Sequence, residues 1–186
     1  MSTEIQPLLT IADLDAMPDD GNRYELIEGE ILVSRAPSLL HQRILRNLMK
    51  VFLIYLSQNN IGELLPGPGV IFDEHNAVIP DLVFLSQERI NQIAKGERLT
   101  GAPDLVIEIL SPGKENERRD RNFKRRLYGK RGVKEYWIID PEKENIEIYN
   151  LQKRGLELVN TIKGQGEITS LILPGFHCKI TEIFNV

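Results

Sequence analysis

Cysteine is nearly absent from this chain of 186 residues; Cys178 is the only one. A disulfide framework within the chain is thereby excluded, which fits a reducing, cytoplasmic setting. No run of 18 apolar residues occurs, so no transmembrane helix is expected. Met1 to Thr10 lacks a basic stretch followed by an apolar one, so no secretory signal is expected there. Histidine is sparse, and His41, His75, His177 and Cys178 show no zinc-finger spacing. The chain also has no G-x-x-x-x-G-K-[ST] loop, no G-x-G-x-x-G after a strand and no G-x-S-x-G elbow. Phosphate-loop, dinucleotide and serine-hydrolase chemistry are left without support. No internal repeat or low-complexity segment is present.

The composition is that of a folded domain, with 41% hydrophobic and 27% charged residues. Its length suits one domain over residues 1–186, with residues 1–22 as an N-terminal helix-and-turn extension. A net charge of −4 argues against nucleic acid as a partner, but its distribution does not. Arg118 to Arg131 holds eight basic residues and one acid, Asp120. An acidic body with one basic stretch suits local phosphate attraction, although a solvated helix face gives the same pattern.

Thr10 with Asp13 predicts a capped short helix from Thr10 to Met17. Arg23 to Ser34 reads as two strands joined at Glu28-Gly29. Apolar residues at helical spacing from Pro37 to Gln58 predict a long core helix. Leu64 to Phe72 is an irregular strand region broken by Pro66-Gly67-Pro68-Gly69. Ala77 to Leu85 reads as one apolar strand, interrupted by Pro80-Asp81. A short helix follows from Ser86 to Lys95, then an apolar strand from Asp104 to Leu110 and a helix from Glu115 to Lys130. Lys134 to Asp140 and Asn145 to Leu151 form a hairpin, and strands continue over Leu156 to Ile162 and Glu167 to Leu173. This order predicts an α/β (mixed α+β) domain with a mixed sheet flanked by helices, the Asp104–Leu110 strand in its middle.

Two acids interrupt this apolar pattern. On Asp104–Leu110, alternation puts Asp104, Val106, Glu108 and Leu110 on one face. Glu108 therefore sits between apolar neighbours, where a bare carboxylate is costly unless it is paired or binds a cation. An arginine partner or a sheet-edge position accounts for it equally well. Asp81 follows Pro80 within VIPDLVFL, and an aspartate opening a strand after proline is common. The two acids lie far enough apart in sequence to meet on neighbouring strands, where paired carboxylates can share Mg²⁺. On the basic helix, Phe123 and Leu127 mark the buried side at about 100° per residue. Lys124 lies beside them on a stripe with Asp120 and Tyr128. It is the basic residue best placed to point inward, or else its stem packs while its ammonium reaches water.

Several segments together resemble the PD-(D/E)XK nuclease superfamily, and within it the restriction-endonuclease-like Uma-two family of bacteria. These are YELIEGE (Tyr24 to Glu30), His41, IPDLVFL (Ile79 to Leu85), APDLVIEILSP (Ala102 to Pro112), Lys124 with Tyr128, GVKEYWIIDP (Gly132 to Pro141) and LPGF (Leu173 to Phe176). The resemblance implies a restriction-endonuclease-like core and DNA phosphodiester hydrolysis with Mg²⁺ or Mn²⁺. It makes Asp81 the PD aspartate and Glu108 the following acid. The superfamily pattern expects a lysine at 110, where this chain has Leu110; in this branch the lysine comes from the next helix, and Lys124 stands at the matching position. The same comparison makes Glu25 a supporting acid and the Ile109 carbonyl a metal ligand. His41, Arg118, Arg121 and Arg125 become candidate DNA contacts. Asp104, in a second Pro-Asp pair, is a secondary candidate. A homodimer would suit double-strand cutting. The alternatives are a catalytically inactive DNA-binding or accessory protein on the same fold, or a small protein-interaction module.

Overall fold

The computed structural model describes residues 7–186. The first six residues, part of the stretch read above for a secretory signal, lie outside the described residues. Thr10 and Asp13 close the expected capping box on helix α1 (Ile11–Asp15). Strands β1 (Arg23–Ile27) and β2 (Glu30–Ser34) follow, turning at Glu28-Gly29, both at positive φ. The long helix is α2 (Leu39–Gln58), with Ser38 accepting from the amide of His41 as its N-cap. Next come β3 (Gly62–Pro66), β4 (Val70–Asp73), β5 (Asn76–Val78) and β6 (Leu82–Ser86). Helix α3 (Gln87–Ile93) leads into a small hairpin, β7 (Ala94–Lys95) and β8 (Arg98–Thr100), where the sequence predicts only helix and loop. Strand β9 (Leu105–Ile109) precedes α4 (Lys114–Arg118), a π turn (Arg119–Lys124) and α5 (Arg125–Arg131). The chain continues through β10 (Glu135–Asp140), β11 (Asn145–Gln152), β12 (Gly155–Lys163), β13 (Glu167–Thr169), β14 (His177–Lys179) and α6 (Ile180–Phe184).

Two departures from the sequence expectation bear on the site. Ala77–Leu85 is two strands, β5 and β6, in different sheets. Pro80 has no N–H for a ladder, so pairing stops there and the chain changes sheets. The basic helix is not uniformly α-helical, because the π turn widens its middle.

Instead of one sheet there are two six-stranded sheets and a two-stranded one. The first runs β2-β1-β5-β4-β8-β7, the second β12-β11-β10-β9-β6-β3, and the third pairs β13 with β14. The second sheet is mixed: β9 is parallel to β10 and antiparallel to β6. Strand β9 is fully buried in its middle, as its apolar run requires. Alternation divides its residues between two apolar clusters. Leu105, Ile107 and Ile109 pack toward Ile44, Leu48 and Phe52 of α2. Val106 and Leu110 face the other cluster, with Leu127 and Tyr128 of α5 and residues of the first sheet. Glu108 belongs to this second face, between the sheet and the basic helix. Among the described residues no helix is long and apolar enough to cross a membrane.

Candidate active site

The β6–β9 ladder ends with Leu82 opposite Ile107. One step further, the same register sets Asp81 opposite Glu108, and opposed residues of an antiparallel pair point to the same side. The two acids meet where Pro80 has opened the ladder. The Asp81 amide donates to Glu108 Oε2 at 3.4 Å, and Asp81 Oδ2 accepts from the Ile109 amide at 2.8 Å. Helix α2 adds His41 from its first turn, with Nε2 3.0 Å from the same Asp81 oxygen. His41 Nδ1 is buried without a hydrogen-bond partner. Asp81 Oδ1 is left to Arg23, 3.8 Å away.

The π turn delivers the lysine. Lys124 Nζ lies 2.8 Å from Glu25 Oε1 and 3.0 Å from Glu108 Oε1, and the side chain is only 2% exposed. Asp120, one turn earlier, is 3.9 Å from the same ammonium and is gripped through two nitrogens by Arg119. One turn later, the Tyr128 hydroxyl donates to Glu108 Oε1 at 2.7 Å. Glu25 comes from β1 in the first sheet and also accepts from the Ile79 amide at 2.8 Å. The centre thus draws on both sheets and two helices.

Four buried carboxylates (Glu25, Asp81, Glu108, Asp120) face two cations of the helix, Lys124 and Arg119, with Arg23 at the rim. This imbalance acts on the acids differently. Burial opposes the charge of Asp81, but His41, the Ile109 amide and Lys124 hold its carboxyl below the usual range. Burial pushes Glu108 up to about 8; Lys124 pulls it back, while Asp81, Asp120 and Glu25 push it further. Burial also raises Asp120, against Lys124 and Arg119. Burial alone would lower Lys124, yet Glu108, Glu25 and Asp120 together hold it above the ordinary lysine value. One carboxylate is therefore ionised beside a partner that takes up a proton, and the lysine stays charged.

This donor set fits a hard divalent cation. Asp81 Oδ1 has no hydrogen bond and Glu108 Oε2 has only a long one, which leaves one oxygen of each acid for a cation. Among the described residues no three acidic, histidine or cysteine side chains form a metal-ligating group. The side-chain donors are two carboxylates, and Lys124 stands between Glu25 and Glu108.

The structure brings together Asp81, Glu108, Lys124, Glu25, His41 and Ile109, all lining one polar pocket. It does not bring Arg118, Arg121 or Arg125 there. Arg121 is enclosed by Glu117 and Asp140, each at 2.9 Å, and by Glu147. Arg118 lies over the Phe123 ring and Arg125 over Tyr149. The basic side chains lining the pocket are Arg23, Arg35, Arg119 and Lys124. Sequence reasoning singles out Lys124 and none of the three arginines, although Arg23 directly precedes YELIEGE. His41 is buried against Asp81, so its ring serves that acid. Asp104 stays apart: it accepts from the Ser86 amide at 2.8 Å and pairs with Lys134 at 2.6 Å.

A family model named Uma2 and described as "Putative restriction endonuclease" matches residues 11–181. The crystal structure of a "putative nuclease belonging to DUF820" from Anabaena variabilis ATCC 29413 superposes with a TM-score of 0.76 at 22% identity. The match covers 95% of this chain and 98% of that one, and at this identity it shows a common fold. No curated protein matches the chain.

Proposed function

This chain belongs to the Uma2 family, described as one of putative restriction endonucleases, and on that premise we propose that it is an Mg²⁺- or Mn²⁺-dependent DNA endonuclease. The observation that carries this reading is Asp81 set opposite Glu108 with the charged Lys124 beside them. Asp81, Glu108 and the backbone carbonyl of Ile109 would hold the cation. When bound, such a cation polarises the scissile phosphate and lowers the pKa of its water. His41 and the Ile109 amide keep Asp81 ionised and fixed. Tyr128 orients Glu108 through Oε1 and leaves Oε2 toward Asp81. Lys124, held above the usual lysine range, has no free pair to accept a proton. It donates instead, positioning the attacking water and countering charge that develops on the phosphate. Glu25 anchors that ammonium. Arg23 and Arg35 would meet phosphate oxygens at the pocket, while Arg119 stays on Asp120.

The test is incubation of the purified protein with plasmid and Mg²⁺ or Mn²⁺, beside Asp81→Asn and Glu108→Ala. Nicking or linearisation by the wild type and its loss in both variants is expected. Cleavage that persists in both would sink the assignment. One observation favours a second reading. Lys124 already pairs with Glu25 and Glu108, so those charges are partly satisfied without metal. A catalytically inactive DNA-binding or accessory protein on this fold would bind DNA in EDTA and cut under no metal.

A further inference from the structure

Two basic segments distant in sequence meet on a face that the candidate active site does not use. Helix α5 carries Arg125, Arg126 and Lys130, and the turn between β11 and β12 carries Lys153 and Arg154; together they line one open groove. The meeting depends on Gly129. A Cβ there would stand 2.8 Å from the Leu156 amide nitrogen and 3.3 Å from Gly155 Cα, so only glycine lets the helix lie directly on the hairpin. Arg126 is paired with Glu28 at 2.7 Å. Arg125, Lys130, Lys153 and Arg154 are in no ion pair among the described residues, and Tyr149 fixes Arg125 from below. No acidic side chain lines the groove.

The register measures its separation from the active site. Ile138 pairs with both Glu108 and Glu147, so Glu147 is level with the catalytic acids. Gln152, at the edge of the turn, is five residues further along β11. At the ordinary rise per residue, that is about 17 Å along the strand, or roughly five base pairs of duplex.

The geometry points to this groove as a second phosphate-backbone surface, on which Arg125, Lys130, Lys153 and Arg154 hold a stretch of nucleic acid away from the pocket where it is cut. Arginine and lysine side chains outside any ion pair, with Lys130, Lys153 and Arg154 exposed and Arg125 half-buried, suit sequence-independent backbone contact. The partner class rests on the nuclease reading; the surface itself does not.

The experiment separates the two. In an Asp81→Asn background and EDTA, binding of a labelled duplex of about 24 base pairs is followed by fluorescence anisotropy across a salt series. Lys153→Glu/Arg154→Glu is compared with Arg43→Glu/Lys50→Glu on the exposed side of α2, which changes net charge equally. The hairpin variant is expected to weaken binding at least about tenfold and to lower the salt slope by about two, since two contacts are removed. A neutral Lys153→Gln/Arg154→Gln variant should fall between, and thermal melts check folding. Equal effects of the hairpin and α2 variants, or no effect of either, would overturn the proposal. A wild type that cuts no DNA but binds through the hairpin refutes the nuclease reading and leaves this one standing.

Discussion

Among the described residues Lys124 is the only cation in ion-pairing distance of Glu25, Glu108 and Asp120 together, and all four side chains are buried. Replacing a buried cation leaves its partners as uncompensated charges, which costs about 3–5 kcal/mol. Lys124→Met is therefore expected to lower unfolding free energy by that order, measured by urea titration, besides abolishing cleavage. A loss below about 1 kcal/mol would mean that the acids share protons or find other partners. Glu108 adds a pH dependence. Its folded pKa of about 8 lies above its ordinary 4.5, so the folded state binds this proton more tightly than the unfolded one. Its stabilising contribution is complete at acid pH and is lost as pH rises through about 8. Asp81, held low, has the opposite sign and weakens the fold only as pH falls below the usual carboxylate range. In EDTA, the melting temperature should fall between about pH 5.5 and about pH 9, and Glu108→Gln should flatten that decline. An equally steep decline in Glu108→Gln would place the titration elsewhere.

The π turn and the Pro80 break are the elements that build the site, and the sequence shows them unequally. An acid in an apolar strand is visible as an anomaly, so Asp81 and Glu108 stand out from the residues alone. The sheet change at Pro80 is less visible, because β5 and β6 are both apolar and read as one run. The π turn leaves no local mark. At 100° per residue Lys124 falls beside the buried stripe, whereas the wider turn carries it into the centre and leaves Phe123 half-exposed. Arg121 shows a different limit: Glu117, four residues earlier, is legible as one partner, whereas Asp140 and Glu147 arrive only through tertiary contact. Gly129 gives a test of element packing. Gly to Ala within a helix normally stabilises by about 0.5–1 kcal/mol. Here the new Cβ meets backbone of the β11–β12 hairpin at 2.8 Å, so overpacking should dominate. Gly129→Ala is expected to destabilise by about 1–3 kcal/mol in denaturant melts. A stabilised variant would show that the hairpin moves aside freely.

Across the whole molecule, the candidate centre lies on the seam between two sheets. Glu25 and Ile79 come from the first sheet and its exit, Asp81 and Glu108 from the second, and Lys124 from the helix packed between them. Like charges concentrated at such a seam push the two sheets apart, and the bridges from Lys124 to Glu25 and Glu108 hold them together. A divalent cation on Asp81 and Glu108 would relieve the same repulsion, so binding should stabilise the entire domain. At a hundred times its dissociation constant, a ligand specific for the folded state adds about 2.7 kcal/mol. Mn²⁺ is therefore expected to raise the melting temperature of the wild type and not of Asp81→Asn. The pH dependence has a definite sign. Below about 8 the cation must displace the proton of Glu108, and above it the carboxylate is already free. The Mn²⁺-induced rise should be smaller near pH 6 than near pH 8.5, with proton release on binding at the lower pH, measured by calorimetry in buffers of different ionisation enthalpy. A rise independent of pH, or one retained in Asp81→Asn, would place the cation on other groups and leave the paired acids a purely structural role at the seam.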